Sequence, residues 1–213
     1  MSTRPSKIVC VGRNYAEHAK ELGNPIPDRA ILFIKPPSSL SPLSQGISWN
    51  QALGECHYEC EICLQMAQPL SLETDPVKAL EAVGAVTLGL DLTLRDLQAD
   101  LKAKGEPWER AKAFDGACLL ADWIEADEVG DLQDLELVFS INGVERQHGF
   151  SKDMIRDIGA LLVEINQCFS LEAGDVIMTG TPAGVGALRA NDRLTMKLIT
   201  RSGEYDWDSF VKG

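Results

Sequence analysis

Residues 135–149, LELVFSINGVERQHG, restrict the fold more than any other stretch of the chain. Leu137, Phe139 and Ile141 share one side of a period-two pattern that runs straight into Asn142-Gly143, the dipeptide favoured where both central positions of a hairpin turn need positive φ. An antiparallel hairpin with one apolar face follows, and that face needs further strands or a helix to cover it. Other segments supply strands: KIVCVG (7–12), ILFIKP (31–36, closed by prolines), the almost wholly apolar AVTLGLDLTL (85–94), GDVIMTGTP and DRLTMKLITRSGEYDW.

Helical signals are fewer. In RNYAEHAKELGN, Asn14 and Glu17 resemble a capping box and Gly23 a stop, which predicts a helix of about nine residues, marginal by itself. Thr93 is placed to cap a helix through about Lys104 with Leu94, Leu97 and Leu101 as its apolar stripe. Residues 153–167 set Ile155, Ile158, Leu162 and Ile165 at helical spacing. Strands outnumber helices in a mixed order, which predicts an α+β fold with a curved or barrel-like β core. No repeat or flexible linker divides the 213 residues, so one domain over 1–213 is expected.

A formal net charge of -12, with no run of Lys or Arg, argues against nucleic acid or an anionic membrane as partner. The N-terminus lacks the pattern of a signal peptide, and no run of about 18 apolar residues occurs, so a cytoplasmic protein is expected. Six cysteines are too few to act as a scaffold in a chain of this length and are expected to be mostly buried thiols.

The polar segment 54–66, GECHYECEICLQM, poses a choice between a zinc site, paired carboxylates and a solvated strand face. Alternation along a strand puts residues 57, 59, 61 and 63 on one face and 56, 58, 60 and 62 on the other, so Cys56, His57, Cys60 and Cys63 cannot converge on one zinc ion. The same alternation brings Glu59 and Glu61 together, where their mutual repulsion is relieved by a divalent cation. Asp91 ends an apolar strand, where an unpaired charge is costly and calls for a partner or an ion. Three carboxylates make a hard, all-oxygen set that suits Mg2+ or Mn2+ better than zinc. GTPAGVG (180–186) lacks the Lys-Ser/Thr ending of a phosphate loop; its glycines suit a tight turn that lets backbone approach a ligand.

RNYAEHAKE, FIKP, HYECE, LDLTLRDLQ, KGEPWERAKAFD and GDVIMTGTPAGVG, in that order, resemble the fumarylacetoacetate hydrolase superfamily, above all its short branch of acylpyruvate hydrolases, oxaloacetate decarboxylases and oxaloacetate tautomerases. The resemblance implies a β-roll with short peripheral helices and a lid helix, commonly dimerising, with Glu59, Glu61 and Asp91 as ligands of Mg2+ or Mn2+. It implies that His18 and Glu21 form a histidine-glutamate dyad on the lid; their spacing puts both on one helix face. It places Arg95, Gln98 and Lys112 around a small 2-oxo acid and lets Thr181 contact the substrate carboxylate. Cations close by are also what a dianionic substrate needs in an acidic protein. Lys35 either supports the site or is a structural lysine with a buried stem.

Cys56, Cys60 and Cys63 depart from the family pattern, and Cys63 shares the face of the carboxylates. The chain also lacks the extra N-terminal domain and the additional acidic ligand of full-length fumarylacetoacetate hydrolases, which counts against fumarylacetoacetate as substrate. The expected chemistry runs through an enolate of a metal-chelated 2-oxo acid. Hydrolysis of the C3–C4 bond of an acylpyruvate ranks first, with His18 activating water; tautomerisation or decarboxylation of oxaloacetate is the alternative. A non-catalytic sensor of oxo acids is a reading of another class, although it has no need of a base.

Overall fold

The structure, a computed structural model, describes residues 4–21, 23 and 25–213. Its largest sheet has eight strands: Ile31–Lys35, Ile8–Gly12, Val176–Met178, Cys60–Met66, Val83–Asp91, Cys118–Leu120 and Leu40–Pro42 lie side by side, and Ile124–Glu125 pairs with Val83–Asp91. Two of these pairings are parallel and the others antiparallel, so the expected α+β fold with a curled, barrel-like β core and few helices is present. Continuous apolar runs such as 83–90 fit a sheet buried on both faces. One face of Cys60–Met66 carries Cys60, Ile62 and Leu64 into the main core, and the other sends Cys63 into a smaller cluster with Cys10, Cys118 and Met178.

The predicted hairpin forms one side of a second sheet, ordered Val144–Phe150, Glu136–Ile141, Arg193–Ile199, Glu204–Phe210. Asn142 and Gly143 take φ of 52° and 76°, the left-handed pair that this turn requires. Leu137, Phe139 and Ile141 are buried as their alternation predicts, and Phe139 packs at 4.8 Å, centroid to centroid, on the ring of Tyr58. A small third sheet joins Gly186–Ala187, Cys56–Tyr58 and Thr93–Leu94.

Two chain segments pass from the large sheet to the small one. The first does so at Glu59, between Cys56–Tyr58 and Cys60–Met66; the second does so at Leu92, between Val83–Asp91 and Thr93–Leu94. Such corners are where strands bend and ladder bonds lapse. The Cys60 amide donates to Gln147 Oε1 at 2.9 Å and the Leu92 amide to the Ala117 carbonyl, also at 2.9 Å. Glu59 and Asp91 therefore stand together at one corner, joined by the Asp91 amide donating to the Glu59 carbonyl at 2.9 Å.

The helices differ from expectation at their starts. The first covers Ala16–Glu21, shorter than predicted; Leu22 and Asn24 of that stretch lie outside the described residues, and Gly23 has the left-handed φ of 65° that suits a stop. Asn14 is no cap: its Nδ2 donates to the Thr179 carbonyl at 3.0 Å and the Arg156 carbonyl at 3.3 Å, while its Oδ1 accepts from the Arg156 amide at 3.0 Å. Helix Arg95–Lys104 lacks a side-chain cap, because Thr93 turns its hydroxyl back to the Asp91 carbonyl. The helix expected over 153–167 begins only at Ile158, where Asp157 accepts from the Ala160 amide at 2.7 Å; Ile155 lies before it. This helix packs tightly on Pro76–Glu81, since a Cβ on Gly159 would stand 2.6 Å from the Pro76 carbonyl oxygen. Among the described residues no helix is long and apolar enough to cross a membrane.

Asn14 thus ties three distant segments through buried hydrogen bonds, and its substitution distinguishes this role from capping. Asn14→Ala is expected to lower the unfolding free energy by about 2–3 kcal/mol in urea melts, as loss of several buried hydrogen bonds implies. Asn14→Asp should be at least as damaging, because two carbonyls would then face an oxygen where they now meet an amide; a mere cap would tolerate Asp.

Candidate active site

At the corner of the two sheets, Glu59, Glu61 and Asp91 are all buried, and one ligand atom from each lies within 4.8 Å of the others. Period two along the first strand aligns the two glutamates, and the cross-strand neighbour of Glu59 brings in Asp91. Three anions this close require compensation. Lys112 Nζ lies 2.8 Å from Glu59 Oε2 and 2.6 Å from Asp91 Oδ2, Arg95 Nη2 lies 2.5 Å from Glu59 Oε1, and Lys35 Nζ lies 2.8 Å from Asp91 Oδ1.

Glu61 has no such cation and is held by the Gly180 amide, which donates to its Oε2 at 2.7 Å. The two glutamates consequently titrate in opposite directions. Burial alone would push Glu59 up, but the Lys112 and Arg95 charges outweigh it and hold its carboxyl below the usual range. Burial and then the charges of Asp91 and Glu59 push Glu61 well above that range. Burial would pull the Lys112 ammonium down, yet Asp91 and Glu59 raise its pKa instead.

A small cleft opens onto this floor. His18, Glu59, Glu61, Arg95, Gln98 and Lys112 line it, and Thr181 completes the set of expected residues that the fold brings to one place. His18 is buried with Nδ1 3.2 Å from Glu21 Oε2, so the dyad geometry is present. The other oxygen of Glu21 accepts from the Gly184 amide at 3.0 Å. Gln98 Oε1 accepts from Arg95 Nη1 at 2.9 Å, and both side chains lie on the first turn of helix Arg95–Lys104. The Thr181 hydroxyl donates to the Cys60 carbonyl at 2.8 Å and accepts from Gln147 Nε2 at 2.7 Å. Lys35 stands behind the floor and outside the lining: it is fully buried, beside Asp91 and among the carbonyls of Leu92, Lys112 and Ala117.

Several contributors escape sequence reasoning. The GTPAGVG loop does bring backbone close to charge, but the charges are the protein's own carboxylates, Glu61 and Glu21. Gly184 has φ of 99°, and a Cβ there would meet the Arg146 carbonyl. Gln147, which holds the Cys60 amide and Thr181, is a buried polar residue in the second hairpin strand. A register shift between Phe139 and Ser140 puts it out of step with the simple alternation. Arg13, Phe33, Lys102 and Trp108 also line the cleft; the first two and Trp108 fall inside the quoted motifs and Lys102 between two of them, but none carries a signal of its own for the site. Cys63 does not line it; its thiol faces the Glu61 carbonyl at 3.6 Å within the smaller apolar cluster.

The donor set fits a divalent cation: three buried carboxylates, oxygen only, converging within reach of one ion, with Glu61 short of positive charge. Among the described residues no cysteine sulfur joins this cluster.

Residues 7–205 match the family model for the C-terminal part of fumarylacetoacetate (FAA) hydrolase. Oxaloacetate tautomerase YcgM of Escherichia coli is 44% identical over 90% of this chain and 87% of its own. The mitochondrial oxaloacetate decarboxylase of Dictyostelium discoideum is 40% identical over 86% of this chain and 84% of its own. A solved structure of fumarylpyruvate hydrolase from Pseudomonas aeruginosa, in complex with Mn2+ and pyruvate, superposes with a TM-score of 0.89 at 29% identity, covering 98% of this chain and 91% of that one.

A carboxyl with a raised pKa must surrender its proton to become a ligand, so Mn2+ affinity of the metal-free protein should rise with pH above the ordinary glutamate range and binding should release a proton. Titration calorimetry in two buffers of different ionisation enthalpy measures that proton. Glu61→Gln should weaken binding and remove most of the release; release undiminished in this variant would assign the proton elsewhere.

Proposed function

We propose, from the premise that this chain belongs to the fumarylacetoacetate hydrolase family and is an enzyme of it, that the cleft converts the enol form of oxaloacetate to the keto form and back. The observation that carries this reading is the placing of a buried histidine, oriented by Glu21, in the small cleft lined by Glu59 and Glu61, on which Asp91 converges. The names of the relatives at 44% and 40% identity support oxaloacetate as substrate and reverse the ranking from sequence, where acylpyruvate hydrolysis came first.

Glu59, Glu61 and Asp91 would hold the divalent cation, Mg2+ or Mn2+. When bound, it supplies positive charge for the 2-oxo oxygen and so lowers the cost of enolate character in the substrate. Glu21 accepts from Nδ1–H of His18, which leaves Nε2 as the nitrogen that exchanges a proton. In the enol-to-keto direction Nε2 of His18 takes the proton of the C2 hydroxyl and hands it to C3, so that none is gained or lost overall; the reverse passage runs the same transfer from C3 to the oxygen. Lys112 and Arg95 offset the substrate's negative charge, while Gln98 keeps the Arg95 guanidinium in place.

Hydrolysis of an acylpyruvate is the second reading, favoured by the likeness to the Mn2+- and pyruvate-bound fumarylpyruvate hydrolase. Both readings need the same enolate and differ in what His18 acts upon: C3 in one case, water in the other.

Enol decay of freshly dissolved oxaloacetate, followed by ultraviolet absorbance beside acetylpyruvate hydrolysis in the Mn2+-loaded protein, separates them. Oxaloacetate tautomerisation is expected to dominate. His18→Ala should lose about 10²–10⁴-fold of the rate while keeping its Mn2+ affinity. Acetylpyruvate cleavage without enhanced enol decay would establish the second reading, and an unimpaired His18→Ala would remove the histidine from the chemistry.

A further inference from the structure

The floor of the cleft accounts for one end of a 2-oxo acid; nothing so far accounts for the other end. From the cation nearest the carboxylates, a run of contacts leads through two aromatic rings to a second cation. Lys112 Nζ lies 5.2 Å from the Phe33 ring centroid, the Phe33 and Trp108 rings are 5.9 Å apart, and Lys102 Nζ lies 4.8 Å over the Trp108 ring. All four residues line the cleft, as does Arg13.

Lys102 differs from the deeper cations. Lys112, Arg95 and Lys35 each neutralise a named carboxylate of the floor. Lys102 and Arg13 have no carboxylate within ion-pair distance among the described residues, although the chain carries 32 acidic residues against 20 basic ones. Lys102 is exposed in part, and its ammonium lies over the Trp108 ring. Partial burial of that ammonium, and then the Arg95, Arg13 and Lys112 charges, lower its pKa to about 8, as befits a cation crowded by like charge and short of an anion. Arg13 sits directly after strand Ile8–Gly12 with φ of 60°, a conformation a non-glycine residue adopts at some cost.

We infer that Lys102, steadied on Trp108 and assisted by Arg13, receives the second carboxylate of the substrate at the rim of the cleft and makes the enzyme selective for 2-oxo dicarboxylic acids over their monocarboxylic counterparts. The inference rests on the oxo-acid reading of the site and deepens it. An ion pair at the far carboxylate also bears on outcome. Decarboxylation breaks C3–C4 and moves the electron pair of that bond into the enolate as neutral carbon dioxide leaves, so a cation that stabilises the carboxylate opposes the step. Proton transfer at C3 leaves the carboxylate charged and keeps the pair intact.

The test uses unreactive ligands on the Mn2+-loaded full chain: malate, which has the second carboxylate, and lactate, which lacks it, by titration calorimetry. Malate should bind at least about tenfold tighter than lactate in the unaltered protein, as a charge-assisted contact implies. Lys102→Met should remove most of that difference by weakening malate alone, and Lys102→Arg should restore it. The same Lys102→Met protein should show a larger ratio of decarboxylation to enol decay with oxaloacetate. Equal loss of malate and lactate, or an unchanged preference for malate, would overturn the role of Lys102. Efficient enol decay in an unaltered protein that ignores the second carboxylate would sink this inference while leaving the proposed function standing; loss of all oxo-acid turnover with Mn2+ bound would instead sink the reading beneath it.

Discussion

Three carboxylates share one buried corner, and the folded state can tolerate them only by surrounding them with positive charge and polarised amides. Lys35 meets this need from behind, donating to three carbonyls while its ammonium faces Asp91. One of those carbonyls belongs to Lys112, so the buried lysine also anchors the backbone of the residue that bridges Glu59 and Asp91. Positions of the metal-ligand candidates and of the Lys112 ammonium are thereby coupled through a group that does not line the cleft. The cost of leaving any one of these charges unpaired makes the corner a single electrostatic unit.

The glycine loop plays a matching part on the other side. Its amides grip Glu61 through Gly180 and Glu21 through Gly184, so one short segment holds both a floor carboxylate and the partner of His18. A loop built for close approach of backbone to an external anion would leave those amides free; here the protein supplies the anions itself. Helix Ala16–Glu21 is consequently fastened to the loop by the same carboxylate that orients its histidine.

Legibility in the sequence followed the range of the interaction. The carboxylate trio was readable because period two aligns Glu59 with Glu61 and because a charge at the end of an apolar run has few tolerable explanations. The hairpin was readable because Asn142-Gly143 demands a local backbone conformation. Asn14 and Thr93 misled for the converse reason: both are residues suited to caps, yet the first bonds to Thr179 and Arg156 and the second to Asp91. No local rule reveals a partner some 140 positions away. Gln147 was hidden by the bulge, and the cage around Lys35 exists only once the segments of Leu92, Lys112 and Ala117 have come together.

The distribution of sulfur gives the molecule a countable chemistry. Cys10, Cys56, Cys60, Cys63 and Cys118 are buried, and Cys168, at the end of helix Ile158–Cys168, is exposed. Burial, the largest cause, raises the pKa of all five interior thiols, Cys56 and Cys118 to about 12, so few of them exist as thiolate at neutral pH. A maleimide added to the folded chain therefore finds a single handle for a dye or surface, and each further adduct records an opening of the β core.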